Sequence, residues 1–120
     1  MKTILVVDDE EDMRSSLAMI LQKNGFKVHT AIDGDDCLRQ VQKRKPDLIL
    51  LDIMMPGTPV NEILKKVGNV KIAFLSSVVM GESEQRELLN KKNVVDFIQK
   101  PFDIKLLVKK IKSLSTLTGA

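Results

Sequence analysis

Five short apolar runs recur along the chain, separated by segments of helical pattern. They are Ile4 to Val7, Val28 to Ile32, Leu48 to Leu51, Ile72 to Leu75, and Val94 to Ile98. Runs that are apolar at every position suit strands buried on both faces, as in a parallel sheet. The second run alternates, with His29 and Thr30 among its apolar residues, and reads as an edge strand. Between the runs, Met13, Leu17, Ile20 and Leu21 follow the i, i+4, i+7, i+8 spacing of one helix face, and Asn24-Gly25 supplies its stop. Cys37, Leu38 and Val41 mark a second helix after an Asp33-Gly34 turn. Thr58-Pro59 reads as an N-cap followed by a first-turn proline, ahead of a short helix carrying Ile63, Leu64 and Val67. A weaker fourth helix is expected over Glu82 to Lys92, anchored by Leu88 and Leu89. Ile104, Leu107, Val108, Ile111 and Leu114 make the clearest helix, with Asp103 as its cap. Ser113 to Ala120 is polar and small, and is expected to fray or to begin a linker.

Strand–helix pairs in succession imply right-handed crossovers and a parallel sheet with helices on both faces. The predicted fold is therefore α/β: a five-stranded parallel sheet in the order 2-1-3-4-5, flanked by five helices, in the doubly wound, flavodoxin-like arrangement. In such folds ligands bind outside the carboxyl ends of the strands. The 120 residues fit one domain, residues 1–120, with enough length for a core. They leave no room for an output domain, so the chain is either a stand-alone module or part of a longer regulator.

Composition narrows the function classes. Lys and Arg number 19 and Asp and Glu 16, a net charge of +3. That small excess does not call for nucleic acid, and without Trp or Tyr a base-stacking platform would rest on the four Phe. The expectation is no nucleic acid bound by this domain, and no membrane, since no apolar run approaches roughly 18 residues. One Cys and one His exclude a disulfide framework and zinc clusters. His29 reads as a partly exposed filler, Cys37 as an inert core residue, the methionines as gap fillers, and Lys109, Lys110 and Lys112 as a solvated face. A cytoplasmic protein is the simplest reading.

The charges are uneven. Residues 1–60 carry 8 basic and 10 acidic side chains, and residues 61–120 carry 11 and 6. The acid concentrates in Asp8 to Asp12, directly after the first strand. The third strand ends in Asp52, the fourth in Ser76, and the fifth leads to Lys100. In the predicted strand order, Asp8, Asp9, Asp52, Ser76 and Lys100 converge on one crevice. A helix dipole explains Glu10, Glu11 and Asp12. It does not explain Asp52, which closes a wholly apolar strand. Carboxylates held together repel unless a cation compensates, and oxygen ligands with room for water suit Mg²⁺. A carboxylate beside Mg²⁺ is a nucleophile for phosphorus. Lys100 and the Ser76 hydroxyl would then neutralise the remaining phosphoryl oxygens.

Four stretches carry a family resemblance. They are Ile4 to Glu11, Pro46 to Gly57, Phe74 to Ser77, and Asp96 to Phe102. At these spacings the chain resembles the receiver domain of two-component response regulators, the chemotaxis regulator included. The strand order predicted above is also that of the chemotaxis regulator. The resemblance implies that Asp52 accepts a phosphoryl group from a phosphohistidine on a sensor histidine kinase. It implies Mg²⁺ bound directly by Asp9, Asp52 and the Met54 carbonyl, with Asp8 acting through metal-bound water. Ser76 takes the switch position, Phe97 the aromatic switch position, and Lys100 the place of the phosphate-contacting lysine. A cis Lys100–Pro101 peptide is expected. The output would pass through the face of the fourth helix, fifth strand and fifth helix, including Lys105, Leu106 and Lys109, to a downstream protein or a second copy. Met54 and Val78, lacking strong hydrogen-bonding groups, would flank the attacking water, so self-dephosphorylation should be slow.

There are departures from the family pattern. Thr58-Pro59-Val60 stands where a turning glycine is common, Asn93-Val94 replaces a small Gly-Ala pair, and Ser77 an alanine. Rival chemistries fit less well. A haloacid-dehalogenase-type phosphatase expects Asp-x-Asp after the first strand, where Asp8-Asp9-Glu10 stands. A flavin mononucleotide binder expects a Ser/Thr/Gly-rich phosphate loop there, which this acidic segment would oppose. A docking module with the same fold would not need Asp52, Ser76 and Lys100 together.

Overall fold

The computed structural model describes residues 2–54, 57–76, 81–100 and 102–119, with side chains to residue 114. Ten elements alternate without exception: β1 (Thr3–Val7), α1 (Glu11–Lys23), β2 (Lys27–Ala31), α2 (Gly34–Lys43), β3 (Leu48–Asp52), α3 (Val60–Lys66), β4 (Lys71–Ser76), α4 (Glu82–Leu89), β5 (Val94–Gln99) and α5 (Ile104–Gly119). The strands form one parallel sheet in the order β2-β1-β3-β4-β5, as the run pattern predicts. Every strand therefore ends at the same edge, and Asp8, Asp52, Ser76 and Lys100 gather there.

The alternation of side chains along each strand builds two cores. Ile4, Val6, Leu48, Leu50, Ala73 and Leu75 pack against Leu17 and Leu21 of α1 and Leu107, Ile111 and Leu114 of α5. Leu5, Val7, Ile49, Leu51, Ile72 and Phe74 face Cys37 of α2 and Ile63 and Leu64 of α3. All of β3 is buried, which fixes its register: a slip by one residue would exchange the two cores. Gly25, at φ +93°, turns the chain out of α1. Asp33 caps α2 by accepting from the Asp36 N–H at 2.8 Å, and Asp103 caps α5 by accepting from the Lys105 and Leu106 N–H groups.

Several expectations change. Pro59, not Thr58, is the N-cap residue of α3, and no side chain caps that helix. The Thr58 hydroxyl instead donates to the Asp35 carboxylate, tying the β3–α3 loop to the first turn of α2. Gly57, at φ +96°, supplies the turn ahead of Thr58-Pro59-Val60, which has no glycine of its own. α4 stops at Leu89 rather than Lys92, and Leu89 is exposed; Leu88 alone of that pair packs on the core. Ile104 is also exposed, because the buried stripe of α5 begins at Leu107. The backbone of α5 continues past Ser113 to Gly119. Met19 and Met54 are exposed, so of the described methionines only Met13 fills a gap. Asn93 is buried before β5. Its amide donates to the Val70 carbonyl at 3.0 Å and its own carbonyl accepts from Ile72 at 2.8 Å. That pair of bonds replaces the close packing a Gly-Ala pair would give. The pairing of β4 with β5 shifts register between Ile72 and Ala73.

Candidate phosphoacceptor site

Asp8 follows β1 and is wholly buried; Asp52 ends β3 at 6% exposure; Asp9 is exposed. One oxygen of each of the three carboxylates lies within 4.8 Å of the others. The backbone sets this arrangement. Asp8 Oδ1 accepts from the Glu10 N–H at 2.9 Å, which turns the chain into α1. Asp52 Oδ1 accepts from the Met54 N–H at 2.9 Å, which curls the chain after β3 around the carboxylate. Arg14 was not singled out by the sequence, yet its guanidinium donates to the Asp8 carbonyl at 2.9 Å and pins the end of β1 from the first turn of α1. Its i+6 spacing from Asp8 carries no signal until the helix direction is known.

Lys100 reaches into the group from beyond β5. Its Nζ lies 2.8 Å from Asp8 Oδ2 and 3.3 Å from Asp52 Oδ2. Its backbone N–H donates to the Ser76 carbonyl at 2.6 Å, so the ends of β4 and β5 hold the lysine stem in place. Ser76 is wholly buried at the end of β4. Phe97 sits partly buried on the α2–α4 side of the sheet, with its ring 6.3 Å from that of Phe74 and tilted by 57°. The structure thus brings together Asp8, Asp9, Asp52 and Lys100, with Ser76 at the same edge and Met54 on the rim, 59% exposed. Pro101, Ser77 and Val78 lie outside the described residues, and with them the expected cis peptide and the second water-flanking position.

Electrostatics show what the group lacks. Burial holds the Asp52 carboxyl above its ordinary value. The Met54 N–H and the Lys100 charge pull it back, while the Asp8 charge adds to the rise. For Lys100, burial alone would lower the pKa, but the Asp8 hydrogen bond and the charges of Asp52 and Asp8 outweigh it and the net shift is upward. Lys100 therefore stays charged at neutral pH. Three carboxylates against one ammonium leave a formal charge of −3 + 1 = −2. A carboxyl raised by burial and by a second carboxylate marks a site short of positive charge. A divalent cation bound by oxygen ligands restores the balance, and the residues present fit one.

The sequence matches the family described as response regulator receiver domain over residues 4–112. The chain belongs to this family. As a receiver domain of two-component regulators it is a signalling module, of a kind that accepts phosphoryl groups from histidine kinases and binds Mg²⁺. It is 37% identical over 117 residues to the phosphate regulon transcriptional regulatory protein PhoB of Escherichia coli (strain K12), covering 94% of this chain and 51% of that one. It is 33% identical over 115 residues to the alkaline phosphatase synthesis transcriptional regulatory protein PhoP of Bacillus subtilis (strain 168), covering 94% and 48%. The receiver chain thus spans about half the length of these curated relatives. Among solved structures, the response regulator TrrA of Thermotoga maritima, in complex with Mg²⁺-BeF, superposes with a TM-score of 0.78 at 35% identity, covering 95% of this chain and 99% of that one. No helix among the described residues is long and apolar enough to cross a membrane.

Proposed function

We propose that Asp52 is the phosphoacceptor of a two-component phosphorelay, loaded from the phosphohistidine of a sensor histidine kinase with Mg²⁺ bound. One observation carries this reading: a nearly buried carboxylate closes a wholly buried strand, beside two further carboxylates and a single buried lysine. Asp9, Asp52 and the Met54 carbonyl would hold Mg²⁺ directly, and Asp8 through water. Bound Mg²⁺ would supply positive charge to the phosphoryl oxygens. An Asp52 oxygen forms the new P–O bond while the P–N bond of the donor breaks, and the imidazole nitrogen leaves with the electron pair. Lys100, already 3.3 Å from Asp52, then binds a phosphoryl oxygen as a point charge. The domain's own residues thus catalyse the transfer by positioning and charge. The reading places the domain in the cytoplasm with its kinase.

The phosphoryl group gives the Ser76 hydroxyl a new acceptor. Ser76 and the end of β4 move toward it, and the Phe97 ring follows into the space. The surface of α4, β5 and α5 changes with them. Leu106, at 64% exposure, and the exposed Lys105 and Lys109 present that face to a downstream protein or a second copy.

The test is to incubate the chain with acetyl phosphate and Mg²⁺ and map the adduct. Wild type should label at Asp52, and Asp52→Asn or excess chelator should abolish labelling. Ser76→Ala should still label, with weakened NMR shifts across Lys105, Leu106 and Lys109. Full labelling of Asp52→Asn refutes the acceptor assignment; an unweakened response in Ser76→Ala refutes the switch.

A further inference from the structure

The parallel sheet separates charge as well as elements. The carboxyl ends of the strands carry the acid. The opposite pole, where the strands begin, carries a row of cations. Lys2 precedes β1, Lys27 opens β2, Lys45 precedes β3, Lys71 opens β4, and Lys91 and Lys92 precede β5. Lys27, Lys45, Lys91 and Lys92 are exposed. Asp47 is the one carboxylate in these strand-opening segments, and its Oδ2 is committed to the Thr3 N–H at 2.8 Å. Glu87 lies in the last turn of α4. Among the described residues, Lys45, Lys71, Lys91 and Lys92 enter no ion pair.

Helix dipoles account for cations that close helices, such as Lys23, Lys43 and Lys66. They do not account for lysines that open strands. Concave sites lie between these cations. One cavity of about 250 Å³ has Lys45, Lys71 and Asn69 in its wall, together with Asp47, whose Oδ2 accepts from the Thr3 N–H. Another, of about 340 Å³, has Lys65, Lys91 and Lys92 with Asn61; Asn93 also lines it, but its amide is committed to the Val70 carbonyl. A third, of about 290 Å³, adds Lys43 and Arg44. Ammonium groups and side-chain amides around a hollow are the donors that phosphate oxygens take.

Against the expectation drawn from the small net charge, we propose that this pole binds the phosphate backbone of duplex DNA, without reading sequence. Five strands at about 4.8 Å spacing make a row of about 19 Å, along which a duplex presents roughly eleven phosphate charges. The acidic pole repels the same polyanion and so turns the basic pole toward it. An anionic membrane suits the surface less. Interfacial binding draws on apolar side chains, and among the described residues the one exposed large apolar side chain within a turn of this pole is Leu89. Phe26, the aromatic at this edge, is buried, so none of the described residues here stacks on a base. The inference stands apart from the phosphoacceptor reading, since it uses the other end of every strand.

The test is fluorescence anisotropy of the chain with a labelled 30-base-pair duplex from 50 to 200 mM salt. Binding should be micromolar at the low end, with a log–log slope near −0.9 for each phosphate neutralised. Lys45→Glu combined with Lys92→Glu should weaken binding roughly tenfold at 50 mM salt and flatten the slope by about 2. Arg39→Glu combined with Lys110→Glu makes the same change in net charge away from the pole and should leave both quantities near wild type. Circular dichroism melts of both variants check that the fold is kept. Absence of binding at 50 mM salt overturns the proposal, as does equal loss in the two variants, which would mean net charge alone. Capture by phosphatidylserine vesicles without binding to the duplex would also overturn it and assign the pole to membrane.

Discussion

The Lys100 ammonium lies 2.8 Å from a carboxylate oxygen of Asp8 that has no contact with solvent, although 92 residues separate the two in sequence. This pair closes the site across the sheet. Removing one partner of a buried ion pair leaves the other uncompensated, at a cost of about 3–5 kcal/mol. Lys100→Met should therefore lower stability by about that amount at pH 7. Without the lysine, whose charge pulls it down, the Asp52 carboxyl would stand further above its unfolded value. The folded variant then binds more protons than the unfolded chain, and the deficit shrinks as pH falls. Urea unfolding of both proteins at pH 7 and pH 5 checks this; a deficit that grows on acidification would contradict it.

Lifetime should depend on Met54. Its side chain is 59% exposed at the rim of the carboxylate group, so it does not cover the site, and it has no strong donor or acceptor with which to orient water. We expect slow self-dephosphorylation. Met54→Asn with Val78→Glu should release phosphate several-fold faster once donor is removed, because an attacking water is then positioned. Equal rates in the two proteins would take these positions out of the lifetime.

Gly34 opens α2 where any side chain would collide with the loop after β3. A Cβ there would stand 2.8 Å from the Thr58 carbonyl oxygen and 3.0 Å from an Ile63 methyl. In an open helix Gly→Ala stabilises by about 1 kcal/mol. Here it should destabilise by about 1–3 kcal/mol, because backbone must move to make room. Thermal unfolding of Gly34→Ala decides the sign, and a stabilised variant would show that the loop yields freely.

His29 gives a separate pH dependence. Arg44 Nη1 donates to His29 Nε2 at 2.7 Å, which requires a neutral imidazole protonated on Nδ1. Partial burial, then the charges of Arg44 and Lys27, lower its pKa in the folded state below 6.5. As pH falls through that value the unfolded chain takes the proton first, so stability is lost on acidification. His29→Gln keeps an acceptor and removes the proton. Its urea midpoint should fall less than that of wild type between pH 7.5 and pH 5.5, and identical profiles would remove His29 from the balance.

Much of this protein was legible as pattern. Leu48 to Leu51 reads as a doubly buried strand because water is excluded from both faces of a parallel sheet, and Asp52 stands out because a charge has no place at the end of such a run unless something meets it. Element order then fixes strand order, and strand order brings Asp8, Asp52, Ser76 and Lys100 to one edge. What the sequence could not supply were contacts between segments whose separation carries no period. Thr58 has the local chemistry of a helix cap, but the Asp35 carboxylate is a stronger acceptor than the start of α3 is a donor, and only folding places it there. Asn93 looks like a packing fault until Val70 offers it a carbonyl. Arg14 looks like a surface residue until α1 turns it back onto Asp8. Charge shows the same division: composition determines a net +3, a sum that has no direction. Five parallel strands give it one, because every strand start, with its lysine, lies at one pole, while Asp8, Asp9 and Asp52, at the ends of β1 and β3, lie at the other.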